Sequence, residues 1–133
     1  MKKILIILTA LLWVINTFSQ TTQNDEETQF RRDFKYISIY SPESKKWSEL
    51  KEGNNTFVFN INTNSDIKIF WASGKTELLR KVSKIEDGKT DDGVKYQSVT
   101  VLDEKGDENY LFLYEDNRLM LAFGKDNAIM FSN

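Results

Sequence analysis

The sequence predicts an all-β protein: a single antiparallel meander of about eight to nine short strands that forms a small barrel or a curled sandwich. Apolar and polar residues alternate with period two, most clearly in residues 56–71 (TFVFNINTNSDIKIFW), as expected when one face of a strand is buried. Clusters of Gly, Asn, Asp and Ser recur about every dozen residues, as turns require. The connections are too short for crossover helices, so neighbouring strands are predicted to be antiparallel.

The first half of the domain is predicted to contain five strands with turns between them, at residues 34–40, 46–51, 56–61, 67–71 and 76–85. Pro42 ends the first strand because proline cannot donate to a strand ladder, and residues 52–55 (EGNN) are predicted to be a turn. The segment 76–85 is ambiguous, because its apolar residues are spaced by one, three and three, which also suits a helix. A helix there would change the fold class to α+β.

The second half is predicted to contain four strands, at residues 94–102, 110–114, 118–123 and 128–132. Residues 86–93 (EDGKTDDG) and 103–109 (DEKGDEN) are predicted to be a loop and a turn, respectively. The strand 110–114 (YLFLY) is apolar on both faces. Such a strand is typical of a central or doubly covered position in a sheet.

The N-terminal residues 1–19 have the pattern of a secretory signal peptide. Lys2 and Lys3 form a basic region, a short apolar run follows, and Thr17 and Ser19 are the small residues that cleavage after Ser19 requires. The apolar run is shorter than the ~20 residues that a membrane-spanning helix needs. The leader resembles those of exported proteins of Gram-negative bacteria, so a secreted or periplasmic location is expected, with no membrane span in the mature chain.

Removal of residues 1–19 leaves a polar lead-in at residues 20–33, expected to be flexible, and one β domain at residues 34–133. The mature chain carries 16 basic and 20 acidic residues, a net charge of −4. This acidic balance argues against a nucleic-acid partner, because such binding depends on clustered Lys and Arg. The chain has neither histidine nor cysteine, which removes the commonest general base and two common metal ligands. No cofactor is predicted.

Two acidic segments are candidates for chemistry. Asp87, Asp91 and Asp92 lie in a loop that partly follows a Ca²⁺-loop pattern, although Lys89 stands where a ligand is expected. The alternative is a solvated turn. The second segment, 103–109, contains four carboxylates, and paired carboxylates perform general acid–base catalysis in glycosidases. Acids at hairpin tips are more commonly solvated, and no residue is assigned a catalytic role.

Aromatic residues are the strongest functional signal, because several strands carry them on both faces. One face must fill the core, and the other is either covered, lines a cavity or forms an exposed binding patch. Aromatic residues with a polar group suit binding surfaces. The predicted ligand-binding residues are Trp47, Trp71, Tyr110 and Phe112. The alternative is a core with two packed layers.

The position of Trp47 early in a small exported β domain resembles the lipocalin-like barrels. That family has glycine two residues before this tryptophan, where this chain has Lys45, and here a strand is predicted before Trp47 rather than after it. The chain is therefore not assigned to that family.

Three functions remain open at this point. The first is a non-catalytic binding or interaction protein that uses an aromatic sheet face or cavity to bind a small apolar ligand or another protein. The second is a carboxylate-based hydrolase of envelope or extracellular glycans. The third is a structural or adhesive module that assembles through sheet edges.

Overall fold

The computed structural model describes residues 28–133, and the predicted signal peptide and residues 20–27 lie outside this range. The described residues form ten β-strands and contain no helix. The strands are β1 (Phe30–Ser41), β2 (Lys46–Trp47), β3 (Lys51–Phe59), β4 (Ile67–Phe70), β5 (Thr76–Lys81), β6 (Glu86–Lys89), β7 (Lys95–Leu102), β8 (Glu108–Tyr114), β9 (Leu119–Phe123) and β10 (Asn127–Ser132). β1 begins at Phe30, four residues before the predicted start of the domain.

The sheet closes into a barrel. Eight strands follow one another in the order β1, β3, β4, β5, β7, β8, β9 and β10, and β10 pairs back with β1. All pairs are antiparallel. The short strands β2 and β6 are added beside β1 and β7. The prediction of an all-β antiparallel meander that forms a small barrel is confirmed.

Two predicted boundaries are wrong and one alternative is excluded. Residues 52–55 belong to β3 rather than to a turn, and Asn55 pairs with Phe34 of β1. Residues 86–89 form β6 rather than a loop, because β7 is long enough to pair with β5 near one end and with β6 near the other. The helical alternative for residues 76–85 is wrong, since 76–81 form β5 and pair with β4.

The barrel interior is filled by apolar side chains. Phe57 is completely buried and contacts Phe131, with ring centroids 4.8 Å apart, and Phe34 lies 6.0 Å from Phe57. Each of the eight strands of the closed path supplies at least one buried residue to this core, and β3, β4, β7 and β9 each supply two at alternating positions. An eight-stranded barrel is just wide enough for side chains to fill its interior. The core is therefore packed rather than hollow.

The C-terminal residue extends the seam between β10 and β1. The side-chain amide of Asn133 donates to the backbone oxygen of Asp33 at 3.0 Å, and its carbonyl oxygen accepts from the backbone nitrogen of Lys35 at 3.0 Å. These two bonds continue along β1 beyond the last paired residue of β10, Ser132. The Asn133 side chain thus bonds to backbone groups of β1 that lie beyond the end of β10.

Candidate functional site

The outer surface of strands β7–β10 carries a continuous set of aromatic and methionine side chains, which we call the aromatic wall. In β8, Leu111 is fully buried in the interior, and alternation therefore points Phe112 outward. Phe112 pairs with Met120 of β9, and Met120 pairs with Met130 of β10, so these side chains lie on the same outer face. The members of the wall are Tyr96, Tyr110, Phe112, Tyr114, Met120 and Met130.

Three rings form the centre of the wall. Tyr96 lies 5.4 Å from Phe112 and 5.7 Å from Tyr114 between ring centroids, both in edge-to-face geometry. Phe112 and Tyr114 are 6.5 Å apart and nearly parallel. A Cβ atom added at Gly88 would lie 2.4 Å from the Tyr96 ring, so glycine at this position makes room for the ring. Aromatic pairs in these geometries stabilise beyond the area they bury.

The two ends of the wall differ in exposure. Tyr110 is 44% exposed, and its hydroxyl donates to Glu108 at 3.1 Å, which raises the pKa of Tyr110. At the other end Tyr114 is buried, and burial raises the pKa of its phenol. The Arg118 guanidinium lies 4.9 Å from the Tyr114 ring centroid, within cation–π range, and it also pairs with Asp116 at 2.9 Å. The open end around Tyr110 is therefore the more accessible part.

The four predicted ligand-binding residues do not form one site. Tyr110 and Phe112 share the aromatic wall. Trp47 is 42% exposed in β2 and packs against Tyr40, with ring centroids 5.3 Å apart. Trp71 follows β4 and packs against Phe131 of the core. The prediction of an aromatic face on β8 therefore has a structural counterpart, whereas the two tryptophans belong to other parts of the surface.

An open depression of about 400 Å³ lies beside Trp71. Its lining comes from β1, β3, the β4–β5 turn and β5, and it includes Ile37, Gly53, Lys75 and Glu77. The indole nitrogen of Trp71 donates to a carboxylate oxygen of Glu77 at 3.3 Å. This depression combines apolar, aromatic and charged groups at one place on the barrel.

The acidic residues considered for metal binding are separated by secondary structure. Asp87 lies within β6, whereas Asp91 and Asp92 lie in the β6–β7 turn. Asp92 accepts a hydrogen bond from the Thr90 hydroxyl, which lowers the pKa of the Asp92 carboxyl. Among residues 28–133, no group of three or more acidic side chains is arranged to hold a metal ion. The structure therefore offers the cation hypothesis no support.

The second acidic segment, residues 103–109, forms the β7–β8 turn and its hydrogen bonds. Asp103 accepts from the backbone nitrogens of Asp107 and Lys105, both at 2.9 Å, and the bond from Asp107 is the main cause of its lowered pKa. Glu104 accepts from the backbone nitrogen of Leu78 at 3.1 Å. Asp103 thus stabilises the β7–β8 turn, and Glu104 connects this turn to β5.

Barrel closure also bears on the sheet-edge hypothesis. β2 pairs only with β1, and β6 pairs only with β7 in the part of the chain that the structure describes. These strands have two and four residues, and both carry charged side chains. Short and charged edges oppose pairing with a further strand.

Sequence reasoning did not single out several residues of these two surfaces. On the wall they are Tyr96, Tyr114, Met120 and Met130, and at the depression they are Lys75 and Glu77. The signal for the wall was the apolar character of both faces in residues 118–123 (RLMLAF), the same feature that drew attention to 110–114. At the depression only Trp71 was predicted, because its other lining residues come together through strand pairing that the sequence does not display.

The comparisons with known proteins gave no match, whether with protein-family models, with curated proteins or with solved structures. Within residues 28–133, no helix is long and apolar enough to cross a membrane.

Proposed function

We propose that this chain is a non-catalytic binding module whose aromatic wall docks on the apolar surface of a protein partner. The single observation that carries the proposal is the outward position of the aromatic and methionine side chains on four consecutive strands. None of them belongs to the cluster of buried residues that forms the interior core. Apolar residues that the core does not need are typical of interaction surfaces.

The composition of the wall fits a protein partner. Tyr, Phe and Met are enriched at the centres of protein interfaces, where charged residues are depleted. Paired outward residues beside the rings are small, with Ala122 opposite Tyr110 and Ser98 opposite Phe112. The exposed Tyr110 ring therefore projects beside small side chains, and a side chain of a partner has room to pack against it there.

A small apolar ligand fits the wall less well than a protein does. Pockets for small molecules are concave and enclose most of the ligand. The wall is the outside of a closed barrel, and the barrel interior is filled by core residues such as Phe57 and Phe131. A flat or shallow protein surface covers such a convex face more readily.

We also propose that the protein acts outside the cytoplasm of a bacterium, after removal of residues 1–19. The basic and apolar pattern of the leader and the small residues Thr17 and Ser19 support this location. Intact-mass analysis of the protein recovered from the cell envelope or medium tests it. The expected chain begins at Gln20, and an unprocessed chain that stays in the cytoplasm would contradict the proposal.

Site-specific photocrosslinking tests the binding face. A benzoylphenylalanine residue replaces Tyr110 on the wall or, as the matched control, Phe70, which is 40% exposed on the opposite side of the barrel. After irradiation of the cells that produce the protein, position 110 is expected to give a discrete crosslinked protein that position 70 does not give. Equal products at both positions, or none at position 110, would contradict the proposal.

A further inference from the structure

The depression beside Trp71 is a second surface, separate from the aromatic wall, and its lining has a distinct chemistry. Ile37 and Gly53 form part of its apolar surface, and the half-buried Trp71 adds an aromatic ring. Trp71 is held in place, because its ring packs 5.9 Å from that of the buried Phe131 and its backbone nitrogen bonds to the backbone oxygen of Lys75 at 2.8 Å. The aromatic part of the depression is therefore preorganised.

Acidic residues outnumber basic residues in the lining of the depression. Glu52 and Glu77 are acidic, and Lys75 is basic. Glu77 is half-buried, and pairing of Ile69 with Glu77 across β4 and β5 points its side chain to the inner side of the sheet. One oxygen of Glu77 accepts the indole N–H of Trp71 at 3.3 Å. The carboxylate is thus fixed next to the ring.

The amide of Asn55, which also lines the depression, already has hydrogen-bond partners. The Asn55 side chain is buried, donates to the backbone oxygen of Gly53 at 3.1 Å and accepts from the backbone nitrogen of Ala72 at 2.8 Å. It connects β3 to the β4–β5 turn and holds the shape of the depression. Ligand selection therefore depends on the Trp71 ring and the Glu77 carboxylate.

The geometry points to a binding site for a small organic ammonium group in the depression, with Trp71 and Glu77 as its main contacts. An ammonium or quaternary ammonium group is attracted to an indole face through the ring quadrupole, and a partly desolvated carboxylate adds a direct charge interaction. An anionic ligand would have to approach the Glu77 carboxylate. This inference is independent of the protein partner proposed for the aromatic wall.

Tryptophan fluorescence tests the site with choline as the probe. The chain has three tryptophans, so the variant with Trp13→Phe and Trp47→Phe leaves Trp71 as the only reporter, whether or not the leader is present. Choline is expected to produce a saturable change in emission. The uncharged isostere 3,3-dimethyl-1-butanol and sodium chloride at equal ionic strength are expected to produce none.

Two variants, made in this single-tryptophan background, locate the effect. Glu77→Gln keeps an oxygen that can accept the indole N–H but removes the charge, so the dissociation constant for choline is expected to rise about tenfold or more. Glu86→Gln removes an exposed carboxylate on β6 and is the control, with an unchanged constant expected. Circular dichroism confirms that both variants are folded.

Three results would overturn the inference. The first is the absence of a saturable response to choline in the folded parent. The second is an equal response to the uncharged isostere, which would show apolar binding without recognition of charge. The third is a Glu77→Gln variant that binds choline as tightly as the parent does. None of these results concerns position 110, so failure here leaves the proposal for the aromatic wall unaffected.

Discussion

The two outer sides of this barrel differ in the residue types that face outward. On the side formed by β1, β3, β4 and β5, outward residues are mostly charged or polar, and we call this side the charged wall. Its members include Arg31, Asp33, Thr56, Lys68 and Phe70. On the opposite side, the outward residues of β7–β10 include four aromatic residues and two methionines, beside smaller and polar residues such as Ala122 and Ser98.

Polar side chains of the charged wall form hydrogen bonds with one another. Asp33 accepts from Arg31 at 2.7 Å and from the Thr56 hydroxyl at 2.6 Å. Its exposed aromatic residue Phe70 lies beside Lys68, whose ammonium is 5.3 Å from the ring centroid, and the outward Leu78 pairs with Lys68. Such a surface is stable in water without a partner. On the aromatic wall, the Tyr110 hydroxyl donates to Glu108 at one end and the Tyr114 ring contacts Arg118 at the other.

The difference shows which apolar residues the fold requires. A closed barrel needs apolar side chains at alternate positions only, and most outward residues of the charged wall are accordingly charged or polar. In β8, Leu111 and Leu113 supply the apolar side chains that face the interior. Tyr110 and Phe112 face outward, and the interior does not require them to be apolar. We expect the two faces of β8 to respond differently to substitution.

The largest effect is expected from the interior face of β8. Leu111→Ala removes a fully buried side chain and should lower the free energy of unfolding by about 2–5 kcal/mol. Phe112→Ala removes a half-buried ring from the wall, so its cost should be smaller, about 1–2 kcal/mol. Urea unfolding monitored by circular dichroism measures both values. If Phe112→Ala cost as much as Leu111→Ala, the wall would belong to the core.

A glycine beneath the wall should show the next effect. Gly88→Ala places a Cβ atom 2.4 Å from the Tyr96 ring, which must move, and overpacking of this kind costs about 1–3 kcal/mol. Gly53→Ala is the control, because the nearest atoms to its new Cβ would be at an ordinary 3.6 Å. Thermal unfolding of the two variants gives the comparison. Equal melting temperatures would show that Tyr96 is not held where the structure places it.

The smallest effect is expected on the charged wall. Hydrogen bonds from Arg31 and then Thr56 lower the pKa of Asp33, so the ionised carboxylate stabilises the folded state above its unfolded pKa. That contribution should be lost as the pH falls through the lowered folded value. Because the site is exposed, Asp33→Ala should cost less than about 1 kcal/mol at pH 7.

Urea unfolding of this variant and of the parent checks the pH dependence. The difference between them is expected to shrink as the pH is lowered from about 5 to about 2, since the parent carboxylate becomes protonated. A difference that stays constant over this range would show that the Asp33 charge does not contribute to stability.

The strands could be predicted largely because alternation and turn residues are local signals. The hairpin of β3 and β4 follows directly from its alternating apolar residues and the polar residues 62–65. β6 was missed because Glu-Asp-Gly-Lys has the composition of a turn and becomes a strand only through pairing with β7. Its glycine is needed for the Tyr96 ring, a contact that local sequence does not reveal.

The candidate surfaces were predictable only in part. The two-faced character of β8 is visible in YLFLY, and it led to Tyr110 and Phe112. These residues lie beside Tyr96 and Met120 because of the register of β8 with β7 and β9, and the sequence does not display that register. Trp71 and Glu77 likewise meet only through the β4–β5 pairing.

Methyl NMR is the most direct test of the claim that the aromatic wall is the binding face. The chain contains three methionines, and Met120 and Met130 lie side by side on the wall. The Thr56 methyl group, assigned with a Thr56→Ser variant, reports on the charged wall. The labelled protein is added to an extract of the cells that produce it and, as a control, to serum albumin at the same protein concentration.

Our account predicts that the Met120 and Met130 signals shift or broaden in the extract but not in albumin, while the Thr56 signal stays unchanged. The opposite result, with both methionine signals unchanged or with Thr56 equally affected, would contradict it.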